Sequence, residues 1–158
     1  MLWQKKKEIY EHTLVVDLLR NDLNAVCTPG TVHVQQPFFI KECSTLFHMQ
    51  STIFGSLKNN ISTADLFAHT LPCGSVTGTP KKKTCQLIKI YEEQKRGFYT
   101  GTAGLIETNG SFDSCVLIRS AFKGNLGTYA GVGSGITTLS DPKCEIEEMK
   151  LKLNSFLQ

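Results

Sequence analysis

The sequence predicts an α+β fold, and three observations carry that reading. Apolar residues recur at helical spacing near both ends of the chain. The β-like segments between them are grouped and do not alternate one by one with helices, which argues against a regular βαβ order. The dipeptides Asn109-Gly110 and Gly124-Asn125 are hairpin turns, so the strands they join are expected to be antiparallel neighbours.

Residues 5–26 read as a long amphipathic helix. Ile9, Leu14, Val15, Leu18, Leu19, Leu23 and Val26 repeat at three- and four-residue spacing, and Arg20, Asn21 and Asp22 fill the intervening turn. Thr28-Pro29-Gly30 breaks it, and extended segments follow over residues 31–40 and 45–57. Ser62-Thr63-Ala64-Asp65 has the look of an N-cap opening a short helix through His69, with Leu66 and Phe67 inward. A second helix over residues 82–94 presents Leu87, Ile88, Ile90 and Tyr91. Three β segments succeed it, over residues 97–108, 111–122 and 126–138. Asp141-Pro142 then starts a C-terminal helix through about Phe156.

The whole chain bounds the function classes. Its 158 residues fit one domain with a real core, and 41% hydrophobic and 20% charged residues are the composition of a soluble globular protein. No apolar run approaches the length of a membrane span, and Lys5, Lys6 and Lys7 have no apolar h-region behind them, so the expectation is a cytoplasmic protein without membrane contact. The six cysteines include no Cys-x-x-Cys pair and read as free buried thiols. A net charge of +3 is modest, and the lysine runs at 5–7 and 81–83 lack aromatic interleaving, so they read as solvated helix starts and no nucleic acid partner is expected.

The densest motif is Pro72-Cys73-Gly74-Ser75-Val76-Thr77-Gly78-Thr79-Pro80-Lys81. It reads as a loop feeding a helix, with Thr79 able to cap, Pro80 suited to the first turn and Lys81 at a basic start. Free N–H groups, the Ser75 and Thr77 hydroxyls and the Lys81 ammonium would suit a phosphate or carboxylate. The spacing departs from a P-loop, which argues against a nucleotide, and an ordinary connection stays open beside the anion cradle.

Candidate chemistry is sparse elsewhere. Glu8 and Glu11 share one face of the first helix at i, i+3, as do Glu145 and Glu148 in the last. Such pairs usually face water, yet Mg²⁺ needs only one or two carboxylates plus waters and substrate oxygens. His48 lies in apolar Leu46-Phe47-His48-Met49 and reads first as a hydrogen-bonded core residue. Arg119, in Val116-Leu117-Ile118-Arg119-Ser120, is costly in so apolar a strand unless it meets an anion, either a structural carboxylate or a ligand. Gly131-Val132-Gly133-Ser134-Gly135 ends the last strand with glycines that let backbone N–H groups approach a ligand.

In combination these segments resemble the chorismate-utilising enzymes, the family of anthranilate synthase component I, aminodeoxychorismate synthase component I, isochorismate synthase and salicylate synthase. The residues that carry the resemblance are Glu11-His12, Val16-Asp17-Leu18-Leu19-Arg20-Asn21-Asp22-Leu23, Cys27-Thr28-Pro29-Gly30, the motif at 72–81, Arg96-Gly97-Phe98-Tyr99-Thr100-Gly101, Ile118-Arg119-Ser120, the glycines at 131–135 and Ser140-Asp141-Pro142. They follow in family order over nearly the whole chain. Gly74-Ser75-Val76-Thr77-Gly78 is similar to the aminodeoxychorismate synthase branch, whereas the anthranilate synthase branch tends to show Gly-Thr-Leu-Ser-Gly.

The resemblance implies an α/β sandwich with antiparallel strands and flanking helices, and amination of chorismate to 4-amino-4-deoxychorismate for p-aminobenzoate and folate synthesis. It implies Mg²⁺ held by Glu11 and Glu148 with Glu145 assisting, the metal gripping the ring carboxylate. Tyr99 and Arg119 would bind the enolpyruvyl carboxylate with backbone around Gly133 and Gly135. His48 would sit near the departing hydroxyl, and Thr77, Gly74 and Ser75 would line the pocket. Ammonia would come from a glutamine amidotransferase subunit. Because the resemblance begins at the Glu11-His12 helix, it implies the C-terminal half or less of a catalytic domain. The upstream Pro-Ile-Lys-Gly-Thr segment with its nucleophilic lysine has no counterpart at Lys5, Lys6 or Lys7. Cys73 stands where a glycine or small residue is usual, and Thr79 where alanine is. An anthranilate synthase portion and a non-catalytic remnant are the alternatives.

Overall fold

Helix α1, Lys6–Val26, opens the described part of a computed structural model covering residues 6–42, 47–125 and 127–154. The expected starts and ends at Lys5, Thr45, Leu126 and Phe156, and Cys43, lie outside the described residues. Within α1 the half-buried side contains Glu8, Glu11, His12 and Asp22 as well as Val15 and Leu18, whereas Leu19 is exposed. Polar residues therefore share the inner face that periodicity assigned to apolar ones alone. Val26 ends the helix fully buried, and so is Cys27, which follows it and bridges Leu57.

The chain divides into two compact units, Met1–Leu87 and Ile88–Gln158. In the first unit, α1 is followed by strands β1, His33–Glu42, and β2, Phe47–Phe54, which pair antiparallel. Their register breaks between Gln35 and Phe39, so that Gln36, Pro37 and Phe38 stand opposite Ser51 alone. This bulge bends and re-aims the hairpin. Helix α2, Thr63–Thr70, has the expected capping box: the Ser62 hydroxyl oxygen accepts the Asp65 N–H and the Asp65 carboxylate accepts the Ser62 N–H.

The motif at 72–81 departs from a simple loop. Gly74–Thr77 forms one helical turn, α3, and α4 begins at Lys81 and runs to Tyr91, so Pro80 and not Thr79 stands at the boundary. The Pro80 carbonyl accepts the Thr84 N–H. Gly74 is needed for packing, since a Cβ there would lie 2.9 Å from Leu18 Cδ1 of α1.

In the second unit, β3, Thr102–Ile106, pairs with β4, Phe112–Val116, across Asn109-Gly110, and β5, Ala121–Gly124, pairs with β6, Gly127–Ala130, across Gly124-Asn125. Both hairpins are antiparallel, as the turn residues require. The single strand expected over 111–122 is split: Leu117 N–H bonds the Gly101 carbonyl, Thr100 N–H bonds the Leu117 carbonyl, and Arg119 takes φ 51°. The strand expected to 138 ends at Ala130. Helix α5, Pro142–Asn154, closes the described chain, its start capped by Asp141, whose carboxylate accepts the Lys143 and Cys144 amides. These bonds, that from Cys144 first, hold the Asp141 carboxyl below its ordinary range.

The fold is thus the mixed helix and antiparallel strand arrangement expected. Among the described residues only Val26, Cys27 and Glu145 are fully buried, while Ile90, Leu105, Ile106, Ile136 and Leu151 are exposed. The thiols are free but mostly not buried: Cys27 is, Cys73 and Cys85 are half-buried, and Cys115 and Cys144 are exposed. No helix among the described residues is long and apolar enough to cross a membrane.

Candidate functional site

In the first unit the site residues lie on three elements. Glu11 stands on α1, its Oε1 shielded from solvent and 3.4 Å from Lys7 Nζ. The Glu8 Oε2 is shielded too, so this pair is not the solvated one that helical spacing alone describes. His12 reaches across to β2, where Nε2 lies 2.7 Å from Ser51 Oγ. Burial pushes the His12 imidazole below its usual value. His48, the second residue of β2, is half-buried opposite Lys41 of β1, near a strand start and not in a core.

The α3 turn leaves Ser75 exposed and Thr77 half-buried, the Thr77 hydroxyl donating to the Cys73 carbonyl at 3.0 Å. Lys81 does not face an open cradle. Its Nζ lies 2.6 Å from Asp22 Oδ2, with the Thr70 carbonyl 3.4 Å away, and both ion-pair side chains are largely withdrawn from water. The charge expected to attract an anion is neutralised inside the protein.

In the second unit Tyr99 projects from the turn after α4. Arg96 organises that turn, bonding both Glu92 carboxylate oxygens at 2.8 and 2.6 Å and the Thr100 hydroxyl at 3.3 Å. The Tyr99 ring lies over the glycine segment: a side chain on Gly131 would overlap it, and a Cβ on Gly133 would stand 2.7 Å from its hydroxyl. Desolvation raises the Tyr99 phenol above its ordinary value. These glycines leave room for a ring, which periodicity along a strand does not reveal. Arg119 is exposed in the loop between β4 and β5, so the expected cost of a guanidinium inside an apolar strand does not arise.

Glu145 and Glu148 lie one turn apart on α5 with different surroundings. Glu145 is 3% exposed and its Oε2 accepts the Ser134 hydroxyl. Glu148 is about half-exposed and pairs with Lys152 Nζ at 2.6 Å. Lys152 also donates to the Gly133 carbonyl at 2.9 Å. The glycine segment is therefore bound to the acidic helix at two points. Ser134 and Lys152 were absent from the expected site; the i, i+4 spacing of Glu148 and Lys152 is the signal that could have found the second. Gly135 contributes its carbonyl, which accepts the Ser140 hydroxyl at 3.3 Å. Within either unit taken alone, no three His, Cys, Asp or Glu of the described residues form a metal-binding group. Carboxylates, one of them buried, are nonetheless the donor type that a hard divalent cation takes.

A family model described as chorismate binding enzyme matches residues 1–158. The chain belongs to the chorismate binding enzyme family. It is 39% identical over 147 residues to the chloroplastic aminodeoxychorismate synthase of Arabidopsis thaliana, covering 93% of this chain and 16% of that protein. It is 38% identical over 149 residues to anthranilate synthase component 1 of Spirochaeta aurantia, covering 94% of this chain and 31% of the relative. The crystal structure of anthranilate synthase component I from Streptococcus pneumoniae matches with a TM-score of 0.91 at 30% identity, over 99% of this chain and 36% of that one. The chain thus spans about a sixth to a third of these family members' length, and the two named activities stand at nearly equal identity.

Proposed function

We propose that this chain forms the C-terminal part of a Mg²⁺-dependent catalytic domain that aminates chorismate to 4-amino-4-deoxychorismate, with ammonia from a glutamine amidotransferase subunit. The observation that carries the reading is Glu145, a carboxylate 3% exposed on α5, one turn before Glu148 and joined to the glycine segment through Ser134. A buried charge is expensive, and such groups concentrate at functional sites. Glu11 and Glu148 would hold the metal with Glu145 assisting. Bound there, Mg²⁺ supplies Lewis-acid withdrawal of charge as the ring hydroxyl departs.

The chain's own residues bind and orient. The Tyr99 hydroxyl and the Arg119 guanidinium take the enolpyruvyl carboxylate, Arg119 with the forked geometry that suits it. The bare glycines at 131 and 133 keep the tyrosine ring close to the backbone. On this reading His48 serves the departing hydroxyl, and Gly74, Ser75 and Thr77 contact chorismate. The exposed apolar residues Leu105, Ile106 and Ile136 support the reading that this is part of a larger domain whose upstream portion completes the core and supplies the nucleophilic lysine.

Gly74-Ser75-Val76-Thr77-Gly78 favours the aminodeoxychorismate product. The 38% identity to an anthranilate synthase component 1, close to that with the aminodeoxychorismate synthase, supports anthranilate as a second reading. Incubating the chain with chorismate, ammonia and Mg²⁺, with and without the upstream portion, separates them. Formation of 4-amino-4-deoxychorismate supports the first and fluorescent anthranilate the second. Failure of both, with no Mg²⁺-dependent chorismate binding, would identify a non-catalytic remnant.

A further inference from the structure

The bulge in β1 is held by a residue from a different element. Gln36 and Phe38 have φ of 51° and 56°, a region unfavourable for side chains this size, so the surroundings must hold them there. The bulge interrupts the ladder, and the Phe38 N–H donates to Ser51 Oγ of β2 at 3.0 Å. The Ser51 hydroxyl also bonds His12 Nε2 of α1 at 2.7 Å, and the His12 ring lies 5.4 Å from that of Phe38, tilted by 49°. One histidine thus holds the serine that satisfies the bulge and covers the phenylalanine whose backbone it constrains.

The consequence is positional. The bulge sets the register of the hairpin from Phe39 onward, and His48 lies opposite Lys41 in that stretch. His12 is the immediate neighbour of Glu11. We infer that the His12–Ser51–Phe38 linkage is a positioning device that aligns the strand carrying His48 with the helix turn carrying Glu11. This rests on the functional reading given above, in which those two residues serve one reaction. His12 and Ser51 are positioning residues, not catalytic ones: they act through the bulge.

Ser51→Ala removes the shared hydroxyl and Ser51→Thr keeps it; His12→Phe keeps a ring without the bond and His12→Gln restores a donor near Nε2. In the chorismate assay with the upstream portion supplied, Ser51→Ala and His12→Phe should lower kcat by about tenfold or more with KM for chorismate little changed, since small misplacement of a reacting group is costly. Ser51→Thr and His12→Gln should recover most of that loss. In hydrogen exchange of the chain itself, the Phe38 amide should exchange faster in the first two variants. A folded Ser51→Ala variant with parental kcat, or His12→Phe with unchanged Phe38 exchange, overturns the inference. Wild-type protein that turns over no chorismate overturns the functional reading, and the positioning role with it; that failure is distinguished because the wild type itself is silent.

Discussion

Lys81 Nζ lies 2.6 Å from Asp22 Oδ2, joining the start of α4 to the last turns of α1 across 59 residues of sequence. The pair sits with little access to water, so removing one partner leaves the other's charge poorly solvated. Lys81→Met should destabilise the protein by about 3 kcal/mol, measured by urea unfolding, and Asp22→Asn by a similar amount. The double variant should cost clearly less than the sum of the two. Additive losses would show that the two side chains are not energetically coupled and that the ion pair is not the source of the destabilisation.

Tyr99 and Gly131 make a second, steric relationship. A methyl group at position 131 would occupy the space of the tyrosine ring. Gly131→Ala should therefore cost about 1–3 kcal/mol through overpacking. In a Tyr99→Ala background the same substitution should be nearly neutral. A full-sized loss in that background would assign the glycine a backbone role instead.

These two relationships also mark how far the sequence reaches. Helices α1, α2, α4 and α5, the capping box at Ser62 and Asp65 and the two hairpins of the second unit follow from local signals: apolar period, cap chemistry and Asn-Gly-type turns; the α3 turn, in a stretch that reads as a loop, does not. The break at Leu117 and Arg119 does not, because Val-Leu-Ile favours a strand locally, whereas the Ile118 N–H turns back to the Val116 carbonyl and Arg119 takes a positive φ. The acidic pairs were visible as pairs, but helical spacing contains no information about depth, so neither the burial of Glu145 nor the shielding of Glu11 could be read. His12 with Ser51 and Asp22 with Lys81 are separated by 39 and 59 residues, and nothing local to either partner announces the other.

The Glu92–Arg96 pair gives a dependence on pH. Hydrogen bonding from Arg96 is the main cause holding the Glu92 carboxyl below the ordinary glutamate range. Its folded value is depressed, so its stabilisation is present above the unfolded value of about 4.3 and is lost as pH falls through the folded one. Glu92→Gln should be less stable than wild type near neutrality, and the two should converge as the solution is acidified. Urea midpoints measured between neutral and acid pH check this; a gap that persists undiminished at low pH would mean that the carboxylate charge is not the source.

The two carboxylates of α5 should separate stability from metal binding. Glu145 is 3% exposed and accepts the Ser134 hydroxyl, so Glu145→Ala should cost about 1.5–3 kcal/mol. Glu148 is about half-exposed and pairs with Lys152 in a solvent-screened i, i+4 arrangement, so Glu148→Gln should change stability by no more than about 0.5 kcal/mol. If Glu148 is a metal ligand, that mild variant should nevertheless abolish Mg²⁺-dependent chorismate binding, because an amide oxygen carries no charge to offset a divalent cation's desolvation. Calorimetric titration of chorismate into the protein completed by its upstream portion, with and without Mg²⁺, makes the comparison. Unaltered binding in Glu148→Gln would remove its assigned role, and equal destabilisation by both substitutions would contradict the contrast in burial.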